Sequence, residues 1–182
     1  MEGVDADPEA IARSIALRRL TGAPQTRSQL ARALQRGGVP PESAEAVLDR
    51  LEDVGLVDDS AYAEAWVESR HAGRGLARRA LAHELRHRGV ADDLVDEALQ
   101  GLDPQQERLT ARALVDARLP ATRRLDPLTR RRRLLGLLAR KGYPGGLAMS
   151  VEREALAAEG RGAEGDGHLA TDDVTCEDDV LG

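Results

Sequence analysis

Apolar positions along this chain recur at helical spacing, and one ten-residue pattern is written three times. Residues 30–39 read LARALQRGGV, residues 81–90 read LAHELRHRGV, and residues 134–143 read LLGLLARKGY. Each copy has two leucines four apart (Leu30/Leu34, Leu81/Leu85, Leu134/Leu138), then a basic-flanked stretch. A glycine follows (Gly38, Gly89, Gly142), and then an apolar residue (Val39, Val90, Tyr143). Leucines at i and i+4 share one helix face, and a glycine just beyond it is a helix-ending signal. The first copy maps onto the second by adding 51 and the second onto the third by adding 53, without gaps. A fixed period of this kind predicts tandem copies of one supersecondary unit and directs attention to an extended surface instead of a pocket.

Caps and breakers divide the chain into nine predicted helices. The first runs from about Pro8 to Leu20 and stops at Thr21-Gly22-Ala23-Pro24. The second starts near Thr26–Ser28 and ends at Gly37-Gly38, and Pro40-Pro41 opens the third, whose stripe Ala44, Val47, Leu48, Leu51 has i, i+3, i+4, i+7 spacing. A fourth, capped by Asp59 or Ser60, is predicted to break at His71-Ala72-Gly73-Arg74-Gly75. The fifth and sixth occupy about 76–88 and 92–101; the seventh starts at Asp103-Pro104 and is closed by Pro120. Asp126-Pro127 opens the eighth, which ends at Gly142, and the ninth spans about 145–158. Nine helices over three copies give three per repeat. The first helices align more loosely: adding 48 carries Ala63, Trp66, Val67 and Arg70 onto Ala111, Leu114, Val115 and Arg118.

The expected architecture is all-α: three tandem three-helix repeats in an elongated, curved, solenoid-like body with a disordered acidic C-terminal tail. The divisions are an acidic N-terminal arm (1–10), repeat one (11–57), repeat two (58–103), repeat three (104–158) and the tail (159–182). With no Phe, one Trp and two Tyr, the core must be built from Leu, Ala and Val. A net charge of −6 hides a strong asymmetry: the tail carries −7 and the first ten residues −4, leaving +5 for residues 11–158. The tail is too polar and glycine-rich to bury anything. Cys176 is the only cysteine, so no intrachain disulfide is possible. The start MEGVDADPEA lacks the basic and apolar stretches of a secretory signal, and no apolar run approaches ~18 residues. A soluble, cytoplasmic, monomeric protein is expected.

The string Gly55-Leu56-Val57-Asp58-Asp59-Ser60-Ala61-Tyr62-Ala63-Glu64-Ala65-Trp66-Val67-Glu68-Ser69-Arg70 resembles the signature of the RecX family, regulators of the RecA recombinase. The resemblance begins near Arg27 and continues through the second and third leucine–glycine copies to about Glu154. It implies three tandem three-helix repeats. It also implies binding to the RecA–DNA filament that modulates, and in the expected direction inhibits, filament extension, ATPase, recombinase and coprotease activities in DNA repair and the SOS response. The residues themselves read as structural. Gly55 ends a helix, Asp58 and Asp59 are placed to cap one, and Tyr62 and Trp66 are four apart on one helical face, with the lone Trp66 expected as a core anchor.

Function is therefore sought in the basic clusters: Arg70, Arg74, Arg78 and Arg79; Arg86 and Arg88; Arg123 and Arg124; Arg130, Arg131 and Arg133, in a run that also contains Arg132; and Arg140 with Lys141. Between Ala121 and Arg140 only Asp126 is acidic, whereas a solvated helix face usually interleaves both signs. These residues are candidates for contact with RecA or with single- or double-stranded DNA phosphates, a charge-driven and salt-sensitive mode. For Arg86, Arg88, Arg140 and Lys141, complementing the negative end of a helix dipole is an equal alternative. The acidic tail could shield the basic face as a DNA mimic or merely aid solubility.

His83 and His87 are four apart, but no HExxH pattern or further ligand accompanies them, so no metal is expected. No nucleophile or P-loop setting is present, and neither catalysis nor a cofactor is expected. The competing functions are a direct DNA-binding protein of helix-turn-helix-like type and a non-enzymatic interaction scaffold. Against the first, no helix shows a recognisable set of base-reading side chains.

Overall fold

A computed structural model of the chain describes residues 7–165, and among these every element is helical. Repeat one comprises α1 (Pro8–Gly22), α2 (Arg27–Arg36) and α3 (Pro41–Asp53); repeat two comprises α4 (Asp59–Arg74), α5 (Arg78–His87) and α6 (Asp92–Gln100). Repeat three comprises α7 (Pro104–Asp116), a single turn α8 (Leu119–Thr122), α9 (Pro127–Arg140) and α10 (Gly145–Gly165).

The core falls into three clusters centred on the three repeats, with Ala77, which precedes α5, buried in the third. The six repeat leucines are fully buried, and Val39, Val90 and Tyr143 are buried beside them. Each copy ends its second helix alike. Val39, Val90 and Tyr143 donate their N–H to the carbonyls of Leu34, Leu85 and Leu138 at 3.1, 3.2 and 3.1 Å. This six-to-one bond requires a left-handed residue just before it, and Gly38, Gly89 and Gly142 supply it with φ of 72°, 84° and 89°. The leucine–glycine pattern is thus a buried face followed by a left-handed helix stop.

The joints between repeats are also written twice. At the first, Thr26 Oγ1 donates to the Arg88 carbonyl at 2.8 Å; at the second, the Ala77 N–H donates to the Lys141 carbonyl at 2.8 Å. The Arg27 N–H donates to Asp59 Oδ1 at 2.9 Å, and the Arg78 N–H to Glu107 Oε1 at 3.0 Å. Thr26 and Ala77 are equivalent N-caps, and the N–H groups after them have no partner within their own helices. The next repeat provides it. A Cβ on Gly89 would overlap Ser28 of α2, and one on Gly142 would lie 2.5 Å from Ala80 N of α5. Gly38 has nothing within 4 Å among the described residues.

Four sequence expectations are corrected. The fourth helix does not break at His71 but runs on to Arg74. His71 is buried; its Nδ1–H donates to the Leu76 carbonyl at 2.9 Å, and its Nε2 lies 3.0 Å from Thr110 Oγ1. Asp58 alone caps α4, accepting from Ala61 N at 2.9 Å, because the Asp59 carboxylate is engaged with α2 of the preceding repeat. Burial raises the Asp59 carboxyl above its ordinary value. The seventh helix, expected to run to Pro120, ends at Asp116, and Pro120 lies in the separate single turn α8. Finally, helix persists to Gly165, beyond the 158 expected for α10. Glu159, the first acid of the predicted tail, is held by Arg123 and Arg130 from the α8–α9 side. The rest of the disordered-tail expectation, from 166 onward, lies outside the described residues.

Tyr143 seals the second joint by donating its hydroxyl to the Gly75 carbonyl at 3.1 Å. Burial, with Glu107 nearby, pushes its phenol up to about 12. Folded and unfolded chains both keep it protonated below pH ~10, and above that only the unfolded chain ionises until the folded value is passed. Its effect on stability is therefore flat below pH ~10 and a loss of about 2–3 kcal/mol by pH ~12. Urea denaturation across this range should show the loss, and Tyr143→Phe should remove that part of it.

Candidate polyanion-binding site

The structure sorts the basic candidates into three groups. The first is internal. Arg78 was expected on the binding face, but it clasps repeats two and three. Its Nε lies 3.3 Å from Glu107 Oε2, Nη1 donates to the Leu99 carbonyl at 2.6 Å, and Nη2 donates to that of Leu102. Arg70 and Arg88 are likewise structural, because their guanidinium carbons sit 4.0 and 3.6 Å from the Trp66 ring centroid. Arg88 also donates to Tyr62 Oη at 3.0 Å, and Tyr62 stacks on Trp66 at 5.9 Å. Trp66 Nε1 donates to Glu84 at 2.9 Å, and Arg70 Nε is buried with only Glu84 near, at 4.0 Å. Signature residues Tyr62, Trp66 and Arg70 therefore build one cation–aromatic stack. Gly55 and Asp58 shape the turn entering α4.

The second group is paired at the surface. Arg86 faces Asp92 at 2.6 Å and Asp96 at 3.9 Å. Arg123 donates to Glu159 at 2.7 Å, and Arg130 reaches the other oxygen of the same carboxylate. These two bonds hold the Glu159 carboxyl below the usual range. Arg131 lies 3.7 Å from the buried Glu152. Lys141 Nζ donates to the Arg74 carbonyl at 2.6 Å, so it closes the end of α4 in repeat two and not the end of its own helix, α9.

The third group has no acidic partner within 4 Å among the described residues: Arg74, Arg79, Arg124, Arg133 and Arg140, joined by Arg118 and Arg132. All seven are exposed. Four of them converge. A groove of about 580 Å³ between α8 and the outer face of α9 is lined by Arg118, Arg132, Arg133 and Arg140, with Thr122 and Leu137. No acidic residue lines it. Arg140 folds back along α9, its Nη1 3.3 Å from where a Cβ on Gly136 would stand, so the glycine leaves room for the guanidinium.

Arg118 escaped the sequence candidates, and Arg132 entered them only as a member of the 130–133 run, although the repeat offsets contain the signal for Arg118. Adding 48 places Arg70 on Arg118, and adding 53 places Glu84 on Leu137. Repeat two balances its arginine with a glutamate and stacks it on a tryptophan. Repeat three keeps the arginine, replaces the glutamate by Leu137 and the tryptophan by Leu114, and adds Arg133 where repeat two has Ala80. What is a packed stack in one copy is an open arginine groove in the next. Such a groove offers several planar forks for phosphate or carboxylate oxygens.

This groove lies at one end of the array. In repeats one and two the second helix starts against the following repeat, whereas α9 begins four residues earlier, capped by Asp126, whose Oδ1 accepts from Thr129 N at 3.0 Å, with no further described repeat against that start. Among the described residues no group of His, Cys, Asp or Glu side chains is placed to hold a metal ion, and no helix is long and apolar enough to cross a membrane.

Comparison with known proteins agrees with this arrangement. Residues 12–51 match the family model described as the first three-helix domain of RecX, and residues 58–99 match the second. The regulatory protein RecX of Thermobifida fusca is 60% identical over 161 residues, 87% of this chain and 87% of that protein. That of Streptomyces coelicolor is 58% identical over 158 residues, 87% of this chain and 84% of the relative. In fold, the chain resembles the crystal structure of RecX from Lactobacillus salivarius, with a TM-score of 0.77 at 16% identity, covering 83% of this chain and 98% of that one. A second crystal structure, of regulatory protein RecX, gives 0.72 at 22% identity over 84% of this chain and 81% of the other. With three repeat cores, the Gly55–Arg70 signature and these relatives together, the chain belongs to the RecX family of regulatory proteins.

Proposed function

We propose that this protein binds the filament RecA forms on DNA and limits its growth or persistence. The arginine groove and its neighbours Arg123 and Arg124 form the contact face. The observation that carries this reading is the groove itself: four guanidiniums, no lining acid, at an end of the array that no further described repeat covers. Its counterpart is DNA phosphate or an acidic RecA surface in the filament. Contact there would loosen neighbouring protomers or obstruct addition of the next one. Binding of this type weakens steeply with salt because counterions are released on association. RecA ATPase on single-stranded DNA, titrated with this protein up to stoichiometric ratio, is expected to fall, and to fall less as salt is raised. An unchanged ATPase across that titration contradicts the proposal.

A further inference from the structure

The arginine groove carries four positive charges that repel one another with no acid lining it, so an anion seated there relieves a standing electrostatic cost. The same chain holds a suitable anion. Residues 166–182 contain Asp166, Asp172, Asp173, Glu177, Asp178 and Asp179 and neither lysine nor arginine. The beginning of this acidic run already makes such a contact: Glu159 bridges Arg123 and Arg130 at the start of α9. Reach is ample. From Glu159 to Gly165 the helix rises ~9 Å, and α9 spans ~21 Å. The 17 residues after Gly165 can extend up to ~56–61 Å. A tethered segment also acts at a high effective concentration, in the millimolar range for short flexible links.

We propose that the acidic segment 166–182 occupies the groove of Arg118, Arg132, Arg133 and Arg140 in the free protein, as a built-in competitor for any polyanion partner. The contact is within one chain and stands whether or not RecA is that partner. A second copy or a free anion would lack the tether. An incoming DNA strand, with its dense phosphates and condensed counterions, would displace the segment at low salt.

Cys176, the only cysteine, allows a direct test in the full chain. A nitroxide attached there should broaden the amide signals of Ala121, Gly136 and Leu137 at low salt while leaving those of Gly38 and Val39 in repeat one sharp. Two changes should each abolish the broadening: the exposed pair Arg132→Gln/Arg133→Gln, and neutralisation of the segment by Asp172→Asn, Asp173→Asn, Glu177→Gln, Asp178→Asn and Asp179→Asn. Raising the salt should abolish it too. Sharp signals in repeat three, equal broadening over repeats one and three, or broadening that survives Arg132→Gln/Arg133→Gln would overturn the proposal. RecA is absent throughout, so failure of the filament reading leaves this result interpretable.

Discussion

Gly142→Ala will destabilise the protein by about 3 kcal/mol or more, whereas Gly38→Ala, at the equivalent place in repeat one, will cost only ~1 kcal/mol. Both glycines are left-handed, with φ of 89° and 72°, so both substitutions carry the penalty of an L side chain in that region. They differ in what the new methyl meets. At Gly38 nothing among the described residues lies within 4 Å, but at Gly142 the methyl falls 2.5 Å from Ala80 N and 2.8 Å from Ala80 Cβ. Those atoms belong to α5, so relief requires repeats two and three to separate, which threatens the Ala77–Lys141 and Tyr143–Gly75 bonds. Urea denaturation of the two variants measures the difference. Equal losses would mean that the glycine serves only as a helix stop and not as the point of closest approach between repeats.

Arg78→Ala is the second large effect, at about 3 kcal/mol. Removing the guanidinium strips partners from the Leu99 and Leu102 carbonyls and from the Glu107 carboxylate, whose side chain is only 7% exposed. The Leu99 carbonyl keeps the Leu102 N–H at 3.1 Å, but the buried Glu107 carboxylate loses its counterion and retains only the Arg78 backbone N–H at 3.0 Å, and an unpaired buried charge is the costly part. Arg27, one repeat earlier, provides the contrast. Its partners Glu45, Asp49 and Glu52 are 62%, 64% and 41% exposed, so water replaces the lost cation and Arg27→Ala should cost ~1 kcal/mol or less. Thermal and urea unfolding of both variants, with exposed Arg79→Ala as the near-neutral control, would reveal the ordering. If Arg27→Ala proved the more damaging, the clasp assigned to Arg78 would be wrong.

Much of the fold was legible because each repeat buries a local, periodic face. Leu30, Leu34 and Gly38 act within one helix and its stop, and so do their copies, so spacing alone exposes them. The joints were less legible because they pair residues far apart in sequence under two different offsets. Asp59 and Glu107 do the same work 48 residues apart, while the amides they hold, at Arg27 and Arg78, are 51 apart. From local sequence Asp59 looks like a cap for its own helix, and Arg78 looks like one more surface base. The binding face was half visible. A count of arginines finds 130–133 but cannot tell that Arg130 and Arg131 face Glu159 and Glu152 while Arg132 and Arg133 turn toward Arg118 and Arg140. The extension of α10 was hidden for a similar reason: glycine-rich composition argues for a tail, and only the Glu159 contacts show what holds the helix there.

The most direct test of the central claim compares inhibition of RecA by two charge-matched variants. Arg132→Gln/Arg133→Gln/Arg140→Gln empties the groove of three of its four cations, while Arg18→Gln/Arg19→Gln/Arg36→Gln removes three from repeat one. None of the six makes an ion pair among the described residues, so both variants should fold with unchanged helical content. With RecA ATPase on single-stranded DNA as the readout, the groove variant should need about tenfold more protein for half-inhibition at moderate salt, a loss of ~1.4 kcal/mol of binding. The repeat-one variant should inhibit like the parent. Equal inhibition by all three chains would contradict the assignment of the contact to the arginine groove of repeat three.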